Sequence, residues 1–70
     1  MKSVPTPVTG TLRSYSVKPG DAVAAGQEIA IVESMKMLIP VLAETSGTVR
    51  TLAKKIDALI HEGEALIELD

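Results

Sequence analysis

Apolar and β-branched residues along this 70-residue chain come in short runs broken every few positions by turn residues, and no stretch sustains a 3.6-residue apolar period. The pattern predicts strands, not helices. Two apolar runs, Ile29 to Glu33 and Met37 to Leu42, are separated by only a few residues, which predicts a tight hairpin with Met35 and Lys36 at its tip.

The pattern is also written twice. Shifting the sequence by 37 residues aligns Gly10 with Gly47, Thr11 with Thr48, Arg13 with Arg50, Lys18 with Lys55 and Gly26 with Gly63. Similar residues fall between them: Leu12 with Val49, Ser14 with Thr51, Val23 with Ile60, Ile29 with Leu66, Val32 with Leu69 and Glu33 with Asp70. Two copies are too few for a solenoid, so the repeat predicts a closed pseudo-symmetric unit. Each copy should supply about four short strands, giving an all-β flattened barrel or sandwich of two four-stranded antiparallel sheets. The recurring apolar pairs, Leu12 with Val49, Val23 with Ile60 and Ile29 with Leu66, are the expected core. "KPGD" at 18–21 is a type II turn, in which Pro19 presets φ and Gly20 supplies the positive φ of the third position. The second copy has Asp57 at the glycine position, so that turn should be strained or of another type. "AAGQ" and "HEGE" mark further turns at Gly26 and Gly63. The boundary between copies falls in "ESMKM", which places Lys36 at an exposed apex, on or near the pseudo-twofold axis.

Composition narrows the function. A net charge of −2, a pI near 5.2 and a single aromatic residue, Tyr15, argue against nucleic acid, whose binders carry basic stripes and stacking platforms. The longest apolar run, Met37 to Ala43, is interrupted by Pro40 and far shorter than the roughly 20 residues of a membrane span. The N-terminus has no signal-like apolar segment, so a cytoplasmic protein folding as one domain over residues 1–70 is expected. With no cysteine and one histidine, neither disulfides nor a typical metal site is available. A chain this short buries only about 60% of its unfolded surface, leaving little room for an enclosed catalytic centre.

Individual residues agree with a non-catalytic role. His61 in "HEGEA" lacks the zinc-protease H-E-x-x-H spacing and reads as an exposed loop histidine. Ser34 has no histidine and acid beside it in sequence. Glu33 reads as a strand end, with recognition of the hairpin by a modifying enzyme as its functional alternative. Tyr15 is expected at the core or its rim with its hydroxyl in water. The glycines lack a phosphate-loop arrangement. Lys36 stands apart, because turn tips favour Gly, Asn, Asp, Ser or Pro, whereas this one is framed by Met35 and Met37. Methionine suits surfaces that adapt to partners, so the frame suggests a lysine presented to another protein.

These residues resemble the biotinyl domains of the biotin carboxyl carrier family. "ESMKM" is similar to the family's modification motif, "PVTGTL" to its entry strand, "VKPGDAVAAGQ" to its Gly-Asp turn and following strand, and "SGTV" with "EGEALIEL" to the second-copy counterparts. Thr9 stands in place of the second proline of the family's Pro-x-Pro-Gly entry, and Asp57 and Ala58 in place of its second Gly-Asp. The resemblance implies that Lys36, flanked by Glu33, Ser34, Met35 and Met37, takes biotin in amide linkage from a biotin protein ligase. The biotin arm would then carry carboxylate between biotin carboxylase and carboxyltransferase sites, as in an acyl-CoA carboxylase such as the acetyl-CoA enzyme of fatty acid biosynthesis. An ordinary lysine amine is almost wholly protonated at neutral pH, so acylation requires help from the ligase. Related lipoyl domains share the fold but usually carry Asp-Lys-Ala at the tip. A lipoyl-type carrier and an unmodified interaction module are the alternatives.

Overall fold

The 37-residue echo returns as backbone geometry. In the computed structural model, which describes residues 2–70, the strands are β1 (Lys2–Pro5), β2 (Gly10–Tyr15), β3 (Ala22–Val23), β4 (Glu28–Ser34), β5 (Met37–Leu42), β6 (Gly47–Leu52), β7 (Leu59–Ile60) and β8 (Ala65–Leu69). They form two antiparallel sheets, in the orders β1-β8-β6-β3 and β5-β4-β2-β7. The repeat shift converts one sheet into the other. Leu12 faces Val32 in the β2–β4 pair, and their counterparts Val49 and Leu69 face each other between β6 and β8. Val4 faces Ile67 between β1 and β8, and Val41 faces Ala30 between β5 and β4. Even the register shifts recur, between Leu12 and Ser14 and between Val49 and Thr51. Each sheet draws two strands from each copy, so neither copy owns a complete sheet.

Alternation within the strands turns the aliphatic side chains inward. All three anticipated core pairs are buried, together with Val4, Val32, Val41, Ile67 and Leu69. Tyr15 packs at the margin of this cluster, but its hydroxyl does not sit in water. It donates to the Leu66 carbonyl (2.7 Å) and accepts the Lys54 N–H (3.1 Å). Burial raises its pKa above the ordinary tyrosine value, against the opposing effect of the backbone bond at Lys54.

Four turns share one design. In Lys18–Asp21, Ala24–Gln27, Lys55–Ala58 and His61–Glu64, the fourth N–H donates to the first carbonyl at 3.0, 3.0, 3.1 and 3.0 Å. The third residue is left-handed in each: Gly20 at 95°, Gly26 at 87°, Asp57 at 71° and Gly63 at 92°. The Asp57 turn therefore keeps the shape of its glycine counterpart and accepts the strain of a non-glycine residue there, on the order of 1 kcal/mol. In three turns the fourth side chain also accepts the first N–H: Asp21 from Lys18, Gln27 from Ala24 and Glu64 from His61. These backbone bonds are the main cause that lowers the carboxyl pKa of both Asp21 and Glu64. Ala58 offers no such acceptor.

The symmetry axis crosses the strands, which corrects the expected position of Lys36. The Ser34 hydroxyl donates to the Thr9 carbonyl (2.9 Å), the Glu62 N–H to Thr9 Oγ1 (3.0 Å) and the Gly63 N–H to the Thr6 carbonyl (2.9 Å). The hairpin tip thus lies at the end of the molecule toward which β1 runs. The start of β1 and the end of β8, paired through Lys2 and Leu69, lie at the opposite pole. A twofold that exchanges the poles leaves Lys36 at one of them, not on the axis.

Candidate functional site: the lysine hairpin

β4 and β5 pair without interruption from Ala30–Val41 to Ser34–Met37, so Met35 and Lys36 form a two-residue connection. Both are left-handed, with φ of 53° and 65°, the signature of a type I′ turn whose twist suits the flanking strands. Such turns favour Asn-Gly; here two bulky side chains hold the geometry at a cost of about 1–2 kcal/mol each. Local preference does not supply this turn. The strands impose it.

The support beneath the tip is stiff. Val32 is fully buried, and Gly10 lets β2 approach so closely that a Cβ there would lie 2.3 Å from the Glu33 carbonyl oxygen. Glu33 pairs with Arg13 (3.3 Å), which also reaches Asp57 (3.4 Å), while Ser34 is tied to Thr9. Both ion pairs are half exposed and contribute little stability, so they orient the strand end more than they hold it. Above this base Met35 is 92% and Met37 64% exposed, and Lys36 is exposed between them. Among the described residues every other lysine except Lys55 has a hydrogen-bond partner, whereas the Lys36 amine has none.

The arrangement leaves one uncommitted primary amine at the apex of a rigid, apolar-framed hairpin. It can accept an acyl group without breaking an ion pair. The other candidates are otherwise engaged: His61 Nδ1 lies 3.6 Å from Glu64, and the Ser34 hydroxyl is bonded to the Thr9 carbonyl. Thr9, which stands where the family pattern has a proline, has a structural part of its own. Its hydroxyl and carbonyl join the tip strand to the 61–64 turn, and proline has no hydroxyl to accept that N–H.

The biotin/lipoyl family model, described as biotin-requiring enzyme, matches residues 2–69. This chain belongs to the biotin/lipoyl attachment family. The biotin/lipoyl attachment protein of Bacillus subtilis is 47% identical over 62 residues, covering 89% of this chain and 85% of that one. The human mitochondrial propionyl-CoA carboxylase alpha chain is 43% identical over 65 residues, covering 93% of this chain and 9% of that protein. In three dimensions, the urea carboxylase of Kluyveromyces lactis contains a region that matches 99% of this chain with a TM-score of 0.90 and 26% identity, and that match spans 6% of the enzyme. The biotin/lipoyl attachment domain is thus homologous to small segments of large carboxylases, and the all-β architecture expected from the repeat is theirs too.

Proposed function

We propose that this domain is a biotin carboxyl carrier and that Lys36 is its attachment point. The observation that carries the reading is the exposed, unpartnered Lys36 amine on a strained two-residue tip, in a chain whose relatives include the alpha chain of propionyl-CoA carboxylase. The site fits an amide-linked group. The deprotonated Lys36 amine attacks the carbonyl of the ligase's biotinyl-adenylate, made from biotin and ATP; one amide bond forms as the acyl–phosphate bond breaks and AMP leaves, the lysine's positive charge is lost where no carboxylate is engaged, and the aliphatic side chain becomes a tether. No carboxylate or imidazole among the described residues contacts the amine, so its deprotonation falls to the ligase. Biotin, once bound, supplies a ring that takes up and yields a carboxyl group. The chain's own residues supply position: β4 and β5 fix the tether's base, Met35 and Met37 give an adaptable apolar contact, and Gly10 with Arg13 keeps the base from shifting. A tether on a rigid support maintains a high local concentration at successive catalytic sites, here a biotin carboxylase and a carboxyltransferase in the cytoplasm.

The test is intact mass spectrometry after incubation with biotin, ATP and a biotin protein ligase. The expected product carries one biotinyl group, mapped to Lys36, and Lys36→Arg remains folded but unlabelled. Labelling of Lys2, Lys18, Lys54 or Lys55 at a comparable rate would overturn the assignment. A parallel incubation with lipoate and a lipoate ligase should leave the mass unchanged; lipoylation in its place would make this a lipoyl carrier.

A further inference from the structure

Internal symmetry provides a control for every surface residue, because the same fold position occurs twice. Around Lys36 the two copies part company. At the β7 edge of the sheet, Ile56 and Leu59 are 49% and 66% exposed; their counterparts in the other copy are Pro19 and Ala22. In the next turn His61 and Glu62 stand where the other copy has Ala24 and Ala25. The fold therefore does not require large apolar or charged side chains at these places, yet it carries them only in the copy whose β7 edge reaches the lysine pole. Leu59 faces Thr11, Thr11 faces Glu33 and Glu33 faces Leu38, which is 67% exposed, so one row spans the sheet just below the tip with a leucine at each end. Thr9 fastens this edge to the tip through its bonds to Glu62 and Ser34.

We propose that the strip from Ile56 through Leu59 to Glu62 is a docking surface for the enzyme that acylates Lys36, whose contact face is apolar with a basic side chain beside it. The inference rests on the carrier reading. Charge points to the basic side chain: Arg13 already serves two carboxylates of this edge, Glu33 and Asp57, and is not paired with Glu62. The Glu62 carboxylate has no ion pair among the described residues. An exposed leucine beside an unpaired carboxylate matches an apolar contact bordered by a cation, where the apolar part holds the complex and the charge steers encounter.

The fold supplies its own safe substitutions, since Leu59→Ala and Glu62→Ala install the residues that the other copy carries at Ala22 and Ala25. With a biotin protein ligase, biotin and ATP, the double variant should raise KM for the domain by about tenfold with little change in kcat. Glu62→Ala alone should weaken the salt dependence of kcat/KM. The reverse pair at the other pole, Ala22→Leu with Ala25→Glu, should leave both parameters unchanged. A double variant with KM within twofold of the parent overturns the docking surface while leaving Lys36 as acceptor. Absence of labelling in the parent protein overturns the carrier reading and this inference with it.

Discussion

Tyr15→Phe removes a single oxygen from the only aromatic residue, and the structure says which partners lose by it. The Leu66 carbonyl, 2.7 Å from the hydroxyl, also receives the Ala53 N–H at 2.9 Å and stays bonded in the variant. The Lys54 N–H, 3.1 Å away, loses its acceptor in a partly buried place. One lost bond plus one half-desolvated donor costs about 1–2 kcal/mol. In a domain of this size that lowers Tm by roughly 4–16 °C at neutral pH. A second signature separates this hydroxyl from simple packing. Burial raises the folded pKa of Tyr15 above its ordinary value of 10.0. Its contribution is therefore complete below pH 10 and is lost as pH rises through the raised value, because the unfolded chain releases the proton first. Thermal unfolding followed by circular dichroism from pH 7 to 11 should show an alkaline decline in the parent that is absent in Tyr15→Phe. A variant with unchanged Tm and the same alkaline slope would refute the assigned role of the hydroxyl.

Gly10→Ala should destabilise by about 3 kcal/mol or more, since its Cβ would lie 2.3 Å from the Glu33 carbonyl oxygen; Gly47→Ala, where the nearest atom is at 3.0 Å, should cost less, and chemical denaturation ranks the two. Ala58→Asp supplies the missing acceptor of the Lys55–Ala58 turn and should raise Tm by several degrees, equivalent to about 0.5–1.5 kcal/mol. Asp21 and Glu64 have lowered pKa values, so their contribution is present above their ordinary values and lost as pH falls through the lower folded ones. An acid titration of stability should accordingly be shallower in Asp21→Asn and Glu64→Gln than in the parent. Lys36→Arg should leave Tm within about a degree while abolishing biotinylation, because an exposed, unpartnered amine contributes no contact to lose.

The repeat was legible because identical offsets link identical residues, and an offset of this kind translates directly into matched strand registers. The tip was legible because strands on either side of Met35 and Lys36 leave no other place for the turn. The direction of the symmetry axis was not. A period relates two segments without saying how they are oriented, and only contacts such as Ser34 to Thr9 and Glu62 to Thr9 decide which pole the tip occupies. Tyr15 escaped for a similar reason: its partners lie 39 and 51 residues away, beyond any local pattern. The asymmetry between Leu59 and Ala22 was present in the sequence, but exposure had to be known before it meant anything.

Because β8 ends beside the start of β1 as β4 ends beside the start of β5, the eight strands can be regarded as a ring with two equivalent hairpins. One is closed by Met35 and Lys36, and the other brings Lys2 beside Leu69. Joining the end of β8 to the start of β1 with a second copy of the Ser34–Met37 connection would close the ring. The product would have no free strand ends and two presentable lysines, facing away from each other at opposite poles of a body 31 Å in its longest dimension. A carrier so made could be charged at one pole while discharging at the other. A carrier with one tip would have to do these things in turn.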